Sequence, residues 1–232
     1  MVSDRRGRYD LPELATYAPH RPAPSSLSEK AYHLIRDRIV SLRLAPGSML
    51  DERALIAELG LGRTPVREAL RRLSDENLVE VFPRRGMFVA DVNVRDLADI
   101  SEARAELEGF AARLAAVRAT EDERRVCVDL VAELASGRDE TDARNLIGFD
   151  QRIHRHVYRC THNAFLEATL EEYFVLTLRL WLVVIDLVER LDEAVQEHRE
   201  LLEAILDADE EHAEKVMRRH VVGFEEAIRA VL

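Results

Sequence analysis

The sequence predicts a mainly α-helical protein: an N-terminal winged helix-turn-helix followed by an all-helical antiparallel bundle. Three observations carry this. Aromatic residues are only 6% of the 232, and there are 9 Gly and 7 Pro, while Ala, Leu, Arg and Glu dominate, a composition that excludes an all-β fold. Apolar residues recur at helical spacing in almost every segment beyond residue 27. The exception is a pair of short β-like runs, Leu78 to Phe82 and Met87 to Ala90, separated by Pro83-Arg84-Arg85-Gly86, which reads as a two-stranded hairpin. With 47% hydrophobic residues, the chain can bury a sizeable core without disulfides.

Residues 1–26 hold Pro12, Pro19, Pro22 and Pro24 among basic residues with no helical period, and read as a mobile arm. A first helix is expected from Ser28, which has N-cap chemistry, with Ala31, Leu34, Ile35, Ile39 and Leu42 along one face. Pro46-Gly47 forces a turn. A short helix follows from Asp51 to Leu59, then the turn Gly60-Leu61-Gly62, then a second helix opened by Thr64 with Pro65 at its first helical position. The hairpin completes a first domain over 27–92. From Val94 to the end every useful segment is helical, so 93–232 is expected to be a bundle of about six helices. Breaks are expected near Thr120, Gly137 to Thr141, Thr161 to Asn163, Glu189 to Arg190 and Ala208 to Asp209.

Charge divides the chain in the same place. The formal net charge is −11, which argues against a general polyanion binder. Residues 27–90 nevertheless carry 11 Lys/Arg against 9 Asp/Glu, whereas 91–232 carry 18 against 32. The longest apolar stretch, Tyr173 to Val188, is interrupted by Arg179 and Asp186 and falls short of a membrane span. Cys127 and Cys160 have no CxxC spacing and no secretory segment precedes them, so a reducing cytoplasm is expected.

In the helix expected from Thr64 to Glu76, Val66, Ala69, Leu70 and Leu73 share one face. At about 100° per residue, Thr64, Arg67 and Arg71 then point the other way, with Arg63 just ahead. An exposed helix N-terminus bearing Arg and Thr suits a DNA major groove, where Arg forks onto guanine. Arg84 and Arg85, at the hairpin tip beside Gly86, suit a phosphate backbone or minor groove. The competing reading is a solvated face on which Arg67 and Arg71 pair with acids such as Glu68 and Asp75.

The segment ERALIAELGLGRTPVREALRRLSDENLVEVFPRRGMFVADV resembles the DNA-binding domain of the GntR family of bacterial transcription regulators, most specifically in GRTPVREALRRL. The resemblance implies operator contacts from Arg53, Arg63, Thr64, Arg67 and the wing around Gly86; Arg71 and Arg85 are added from helical phase and from the hairpin tip. Leu61-Gly62 departs from the Val-Ser expected there, which removes a hydroxyl from the start of the recognition helix.

Four ionisable residues of the bundle occupy core-like positions. Asp150 and His154 are i and i+4 on a face shared with Ile147 and Val157; His198 lies in the stripe Leu201, Leu202, Ile205; His220 lies in the stripe Met217, Val221, Phe224. Burying them is costly unless something compensates, and three imidazoles with one carboxylate suit zinc, nickel or another divalent first-row metal with a coordination position left open. Histidines packed without metal, and an Asp150–His154 surface pair, remain the alternatives. His156 lies about 200° from His154 and is expected to face solvent. Residues 94–229 resemble the FCD ligand-binding domain of the FadR subfamily, in which an Asp-x3-His pair and two later His bind a metal. The acyl-CoA-responsive members depart from that pattern, so the resemblance points away from an acyl-CoA effector.

Arg104 shares a helical face with Leu97, Ile100, Leu107, Ala111 and Leu114, so its guanidinium is expected to point inward toward an anion, either a carboxylate ligand or an acid of the chain such as Glu108. The motif SEARAELEGFAARLAA is similar to the first sensing helix of the FadR subfamily, which implies that Arg104 lies near the effector. Trp181 is read either as a wall of that pocket or as ordinary core. The whole describes a homodimeric, ligand-responsive regulator, a repressor by expectation, binding a short palindromic operator in double-stranded DNA and sensing a small carboxylate. A metal-dependent hydrolase and a regulator with a purely structural metal are the rivals; no HExxH supports the first.

Overall fold

The computed structural model describes residues 24–93, 95–135, 143–184 and 191–231, in which nine helices and one two-stranded sheet are found. The chain divides into two compact units with the boundary between Val92 and Asn93. Most of the expected arm, and the breaks expected at Gly137 to Thr141 and at Glu189 to Arg190, lie outside the described residues, as does Asp186.

In the first unit, α1 spans Leu27–Val40 and is capped by Ser26, whose hydroxyl accepts from the Glu29 amide. The cap is therefore Ser26 and not Ser28. Ser28 instead donates to Glu68. The helix also stops before Leu42, which adopts a left-handed φ of 58° yet remains buried. Asp51 caps α2 (Glu52–Leu59) by accepting from the amides of Arg53 and Ala54, at 2.8 and 3.1 Å. Gly60 ends it at φ 64°, the left-handed conformation in which a Cβ would be strained.

Helix α3 runs Arg63–Asp75, beginning one residue before Thr64, and its N-cap Gly62 makes no side-chain cap bond. That is the local consequence of glycine where a serine was expected. Val66, Ala69, Leu70 and Leu73 are buried against α1, whose Ile35 and Ile39 are fully covered. Burial of a Leu of this kind stabilises by about 1.5–3 kcal/mol. Strands β1 (Val79–Phe82) and β2 (Gly86–Val89) pair antiparallel, Val79 opposite Val89 and Phe82 opposite Gly86. Arg84 and Gly86 at the tip take φ of 65° and 105°.

The second unit contains α4 (Arg95–Arg118), α5 (Glu121–Ala135), α6 (Ala143–Cys160), α7 (Ala164–Val184), α8 (Leu191–Leu206) and α9 (Glu210–Val231). Thr120 and Glu123 form a reciprocal capping box at the start of α5. Asn163 caps α7 and Asp209 caps α9, so the breaks read from the sequence at these points are helix starts with side-chain chemistry. Helix α4 is central and packs on α6, α7, α8 and α9. It can do so because Ala111, Ala112, Ala115 and Ala116 present no bulk. At Gly109 a Cβ would stand 2.7 Å from Arg218 Cγ of α9, so a larger residue would force that side chain to move. Among the described residues no helix is long and apolar enough to cross a membrane.

Helix α6 corrects one expectation. His156 does not face solvent; it is buried, at 3% exposure. Its Nε2 donates to the Glu123 carbonyl at 3.0 Å and lies 3.3 and 3.5 Å from the Cys127 and Cys160 sulfurs. The reason is tertiary: α5 covers the face of α6 opposite the one that meets α4, α7 and α8, so both faces of this helix are inside.

Candidate functional site

On the first unit, Arg53, Arg63, Thr64, Arg67, Arg71, Arg85 and Gly86 are all exposed. The fold brings the start of α3 beside the start of α2, across the short turn Gly60-Leu61-Gly62. As a result Glu52 accepts from Arg63 Nε at 2.9 Å and from Arg67 Nε at 2.8 Å. The hydrogen bond from Arg67 is the main reason its carboxyl sits below the usual range. The pairing of Arg67 is thus with Glu52 rather than with Glu68 or Asp75. Sequence reasoning missed Glu52; the available signal was an acid at the first position of the shorter helix. A side-chain fork held in this way, with its outer edge in solvent, is preorganised for a planar acceptor such as a guanine edge. Arg85 stands 5.6 Å above the Phe82 ring at the wing tip.

In the second unit the fold gathers Asp150, His154, His198 and His220 from α6, α8 and α9, with one ligand atom of each within 4.8 Å of the others. Asp150 Oδ1 lies 3.1 Å from His198 Nε2, 3.4 Å from His154 Nε2 and 3.6 Å from His220 Nε2. His154 Nε2 and His220 Nε2 are 3.2 Å apart. Donors about 2.0–2.2 Å from one ion, at tetrahedral or octahedral angles, stand about 3.0–3.5 Å from each other, so the four atoms have the spacing of a coordination shell.

The protons tell the same story. His154 Nδ1 meets Glu108 Oε2 at 2.6 Å, and His220 Nδ1 meets Glu197 Oε2 at 3.1 Å. Each carboxylate takes a hydrogen bond from the outer nitrogen, which turns the inner Nε2 toward the centre. The proton that His154 holds can be shared with His220 Nε2 at 3.2 Å, and a divalent ion would take its place. His198 Nε2 is buried and faces Asp150 Oδ1 at 3.1 Å. These residues therefore fit a divalent ion, and Glu108 and Glu197 are outer supports that sequence reasoning did not assign.

The electrostatics put Asp150 and His198 in ligand-ready forms, whereas His154 holds a proton that an ion must displace. Burial alone would raise the Asp150 carboxyl, but His154 and the hydrogen bonds from His198 and His220 hold it well below its ordinary value. Burial and the neighbouring His220 lower His198 to about 4, so it is neutral. At His154 burial opposes the charge, yet Asp150 and Glu108 outweigh it and raise the group to about 9.

Arg104 is inward, as the helical phase predicts, with 4% exposure. Its Nε donates to Glu108 Oε1 at 2.5 Å, so the intrahelical pair is real. The guanidinium also borders a small pocket that reaches Asp150, His154 and His220. The two readings of Arg104 are thus compatible: one edge is held by Glu108, which in turn holds His154. Trp181 lines the same cavity and stacks on Phe224 at 4.8 Å.

Comparison with known proteins follows the two units. Residues 27–89 match the bacterial regulatory proteins of the gntR family, and residues 99–223 match the FCD domain. The chain is 33% identical over 196 residues to an HTH-type transcriptional regulator from an unstable DNA locus of Streptomyces ambofaciens, covering 82% of this chain and 80% of that one. It is 24% identical over 208 residues to the HTH-type transcriptional repressor RspR of Escherichia coli K12, covering 88% and 90%. Among solved structures, Escherichia coli McbR/YncC shares the fold with a TM-score of 0.73 at 24% identity, over 87% of this chain and 98% of that one. The two sequence relatives are an HTH-type transcriptional regulator and an HTH-type transcriptional repressor. A GntR-type helix-turn-helix with its exposed arginines, joined to a helical FCD domain, makes this chain a member of the GntR family of bacterial transcription regulators.

Proposed function

We propose that this protein is a metal-assisted, carboxylate-responsive repressor. Residues 27–92 bind a short palindromic operator as part of a homodimer, through Arg53, Arg63, Thr64, Arg67 and Arg71 of the helix-turn-helix and Arg85 and Gly86 of the wing. Residues 93–232 hold zinc or nickel on Asp150, His154, His198 and His220. A small carboxylate then spans the metal's free position and Arg104, beside Trp181. Effector binding changes the population of DNA-competent dimers, which is coupling between two sites and not catalysis. The repressor sense is supported by the likeness to RspR.

The observation that carries the sensing half is the set of three imidazole Nε2 atoms gathered around Asp150, beside a cavity that a buried arginine borders. The metal supplies a Lewis-acidic anchor for a carboxylate. The chain's own groups orient it: Arg104 offers a fork, and Glu108 keeps that fork and the His154 ring in place.

The test is metal analysis and thermal melting of wild type, His220→Ala and Arg104→Lys. Wild type carries about one divalent ion per chain, and His220→Ala loses it together with thermal stability. Arg104→Lys keeps the charge that Glu108 needs and keeps the metal, but loses the fork and with it carboxylate-induced stabilisation. Full metal in His220→Ala refutes the centre. A carboxylate response unchanged in Arg104→Lys refutes the pocket and favours a purely structural metal.

A further inference from the structure

We infer that the effector is an apolar monocarboxylate, not a polyhydroxylated or dicarboxylic acid; this rests on the metal-and-carboxylate reading above. Two properties of the cavity point there.

The first is the wall. Among the described residues, and apart from the charged groups and the histidines, the cavity is lined by Ile147, Phe174, Leu178, Trp181, Val221 and Phe224, with Thr177 the one hydroxyl-bearing side chain. The Thr177 hydroxyl is itself spent on the Tyr173 carbonyl at 3.1 Å. A ligand with several hydroxyls would enter this space with at most one acceptor for them. A hydrocarbon body instead meets aromatic and aliphatic surface.

The second is the charge balance. The cavity and its supports hold Arg104 and a divalent ion against the carboxylates of Asp150 and Glu108, the imidazoles being neutral as ligands. The neighbouring acids are matched already: Glu197 by Arg219 at 3.2 Å and Glu171 by Arg155 at 2.6 Å. Among the described residues, one positive charge would be left over once the ion is bound. A single carboxylate neutralises it, whereas a second would be buried without a partner.

The experiment uses the full-length, metal-loaded protein and three acids of six carbons: hexanoate, gluconate and adipate. Trp181 is the only tryptophan in the chain and lines the cavity, so its emission reports occupancy, with titration calorimetry alongside. Each hydroxyl left unpaired on burial costs about tenfold in affinity, so hexanoate is expected to bind at least about a hundredfold tighter than gluconate. It should also bind at least about tenfold tighter than adipate. Gluconate or adipate binding as tightly as hexanoate overturns this inference and leaves the carboxylate reading standing. If protein shown to carry metal gives neither heat nor a change in emission with any of the three, the carboxylate reading falls, and this inference with it.

Discussion

Glu108→Gln should weaken metal binding although Glu108 is not among the four ligands. The side chain is fully buried; Oε2 takes the His154 Nδ1 proton at 2.6 Å and Oε1 takes the Arg104 Nε proton at 2.5 Å. An amide keeps the shape but has one acceptor oxygen, and its NH2 must then face one of two groups that are themselves donors. Whichever way it turns, one buried donor loses its partner and Arg104 loses its counter-charge. Breaking one member of a buried ionic cluster typically costs about 3–5 kcal/mol of stability. Loss of an outer hydrogen bond to a metal-bound His typically lowers metal affinity about 10–100-fold, or about 1.4–2.8 kcal/mol. Competition against a chromophoric chelator at fixed pH measures the affinity, and melting of the metal-free protein measures the stability term separately. Glu197→Gln is the graded control: its bond to His220 is longer, 3.1 Å, and it is also shared with Arg219, so its effect should be smaller. An affinity for Glu108→Gln within twofold of wild type would refute the claim that this carboxylate sets the His154 proton position.

Three further outcomes follow from the same geometry. Arg67→Ala should cost about 1–3 kcal/mol in specific operator binding and leave melting unchanged, because the side chain is exposed and its partner Glu52 is only half-buried; unchanged affinity by fluorescence anisotropy would misassign the recognition face. Metal affinity should rise with pH up to about 9, since the ion must displace the proton that Asp150 and Glu108 hold on His154, and calorimetry in buffers of different ionisation heat should count close to one proton released at pH 7. His156→Ala should lower stability by about 1–3 kcal/mol while metal content stays at wild-type level, because His156 is buried on the α5 side of α6 and bonds the Glu123 carbonyl; a loss of metal would place it functionally in the centre.

Helical phase is a local property, fixed by about 100° per residue, and the sequence determines it wherever one side of a helix is apolar. That is why the outward set Thr64, Arg67 and Arg71, the inward Arg104, and the core-facing Asp150, His154, His198 and His220 were legible before any coordinates, as were the helix starts at Thr120, Asn163 and Asp209. What covers each face is decided by elements distant in the chain. Glu108 meets His154 across 46 residues and His220 meets His154 across 66, and no spacing rule pairs them. Glu52 reaches Arg63 and Arg67 only because the turn between α2 and α3 folds one helix start onto the other. His156 was misread for the same reason: periodicity locates it opposite His154, but whether that side is wet depends on α5, which packs there and leaves no solvent face. Sequence alone thus determined which residues share a side of a helix, and the packing of helices decided which of those sides became a ligand shell, a cavity wall or a second core.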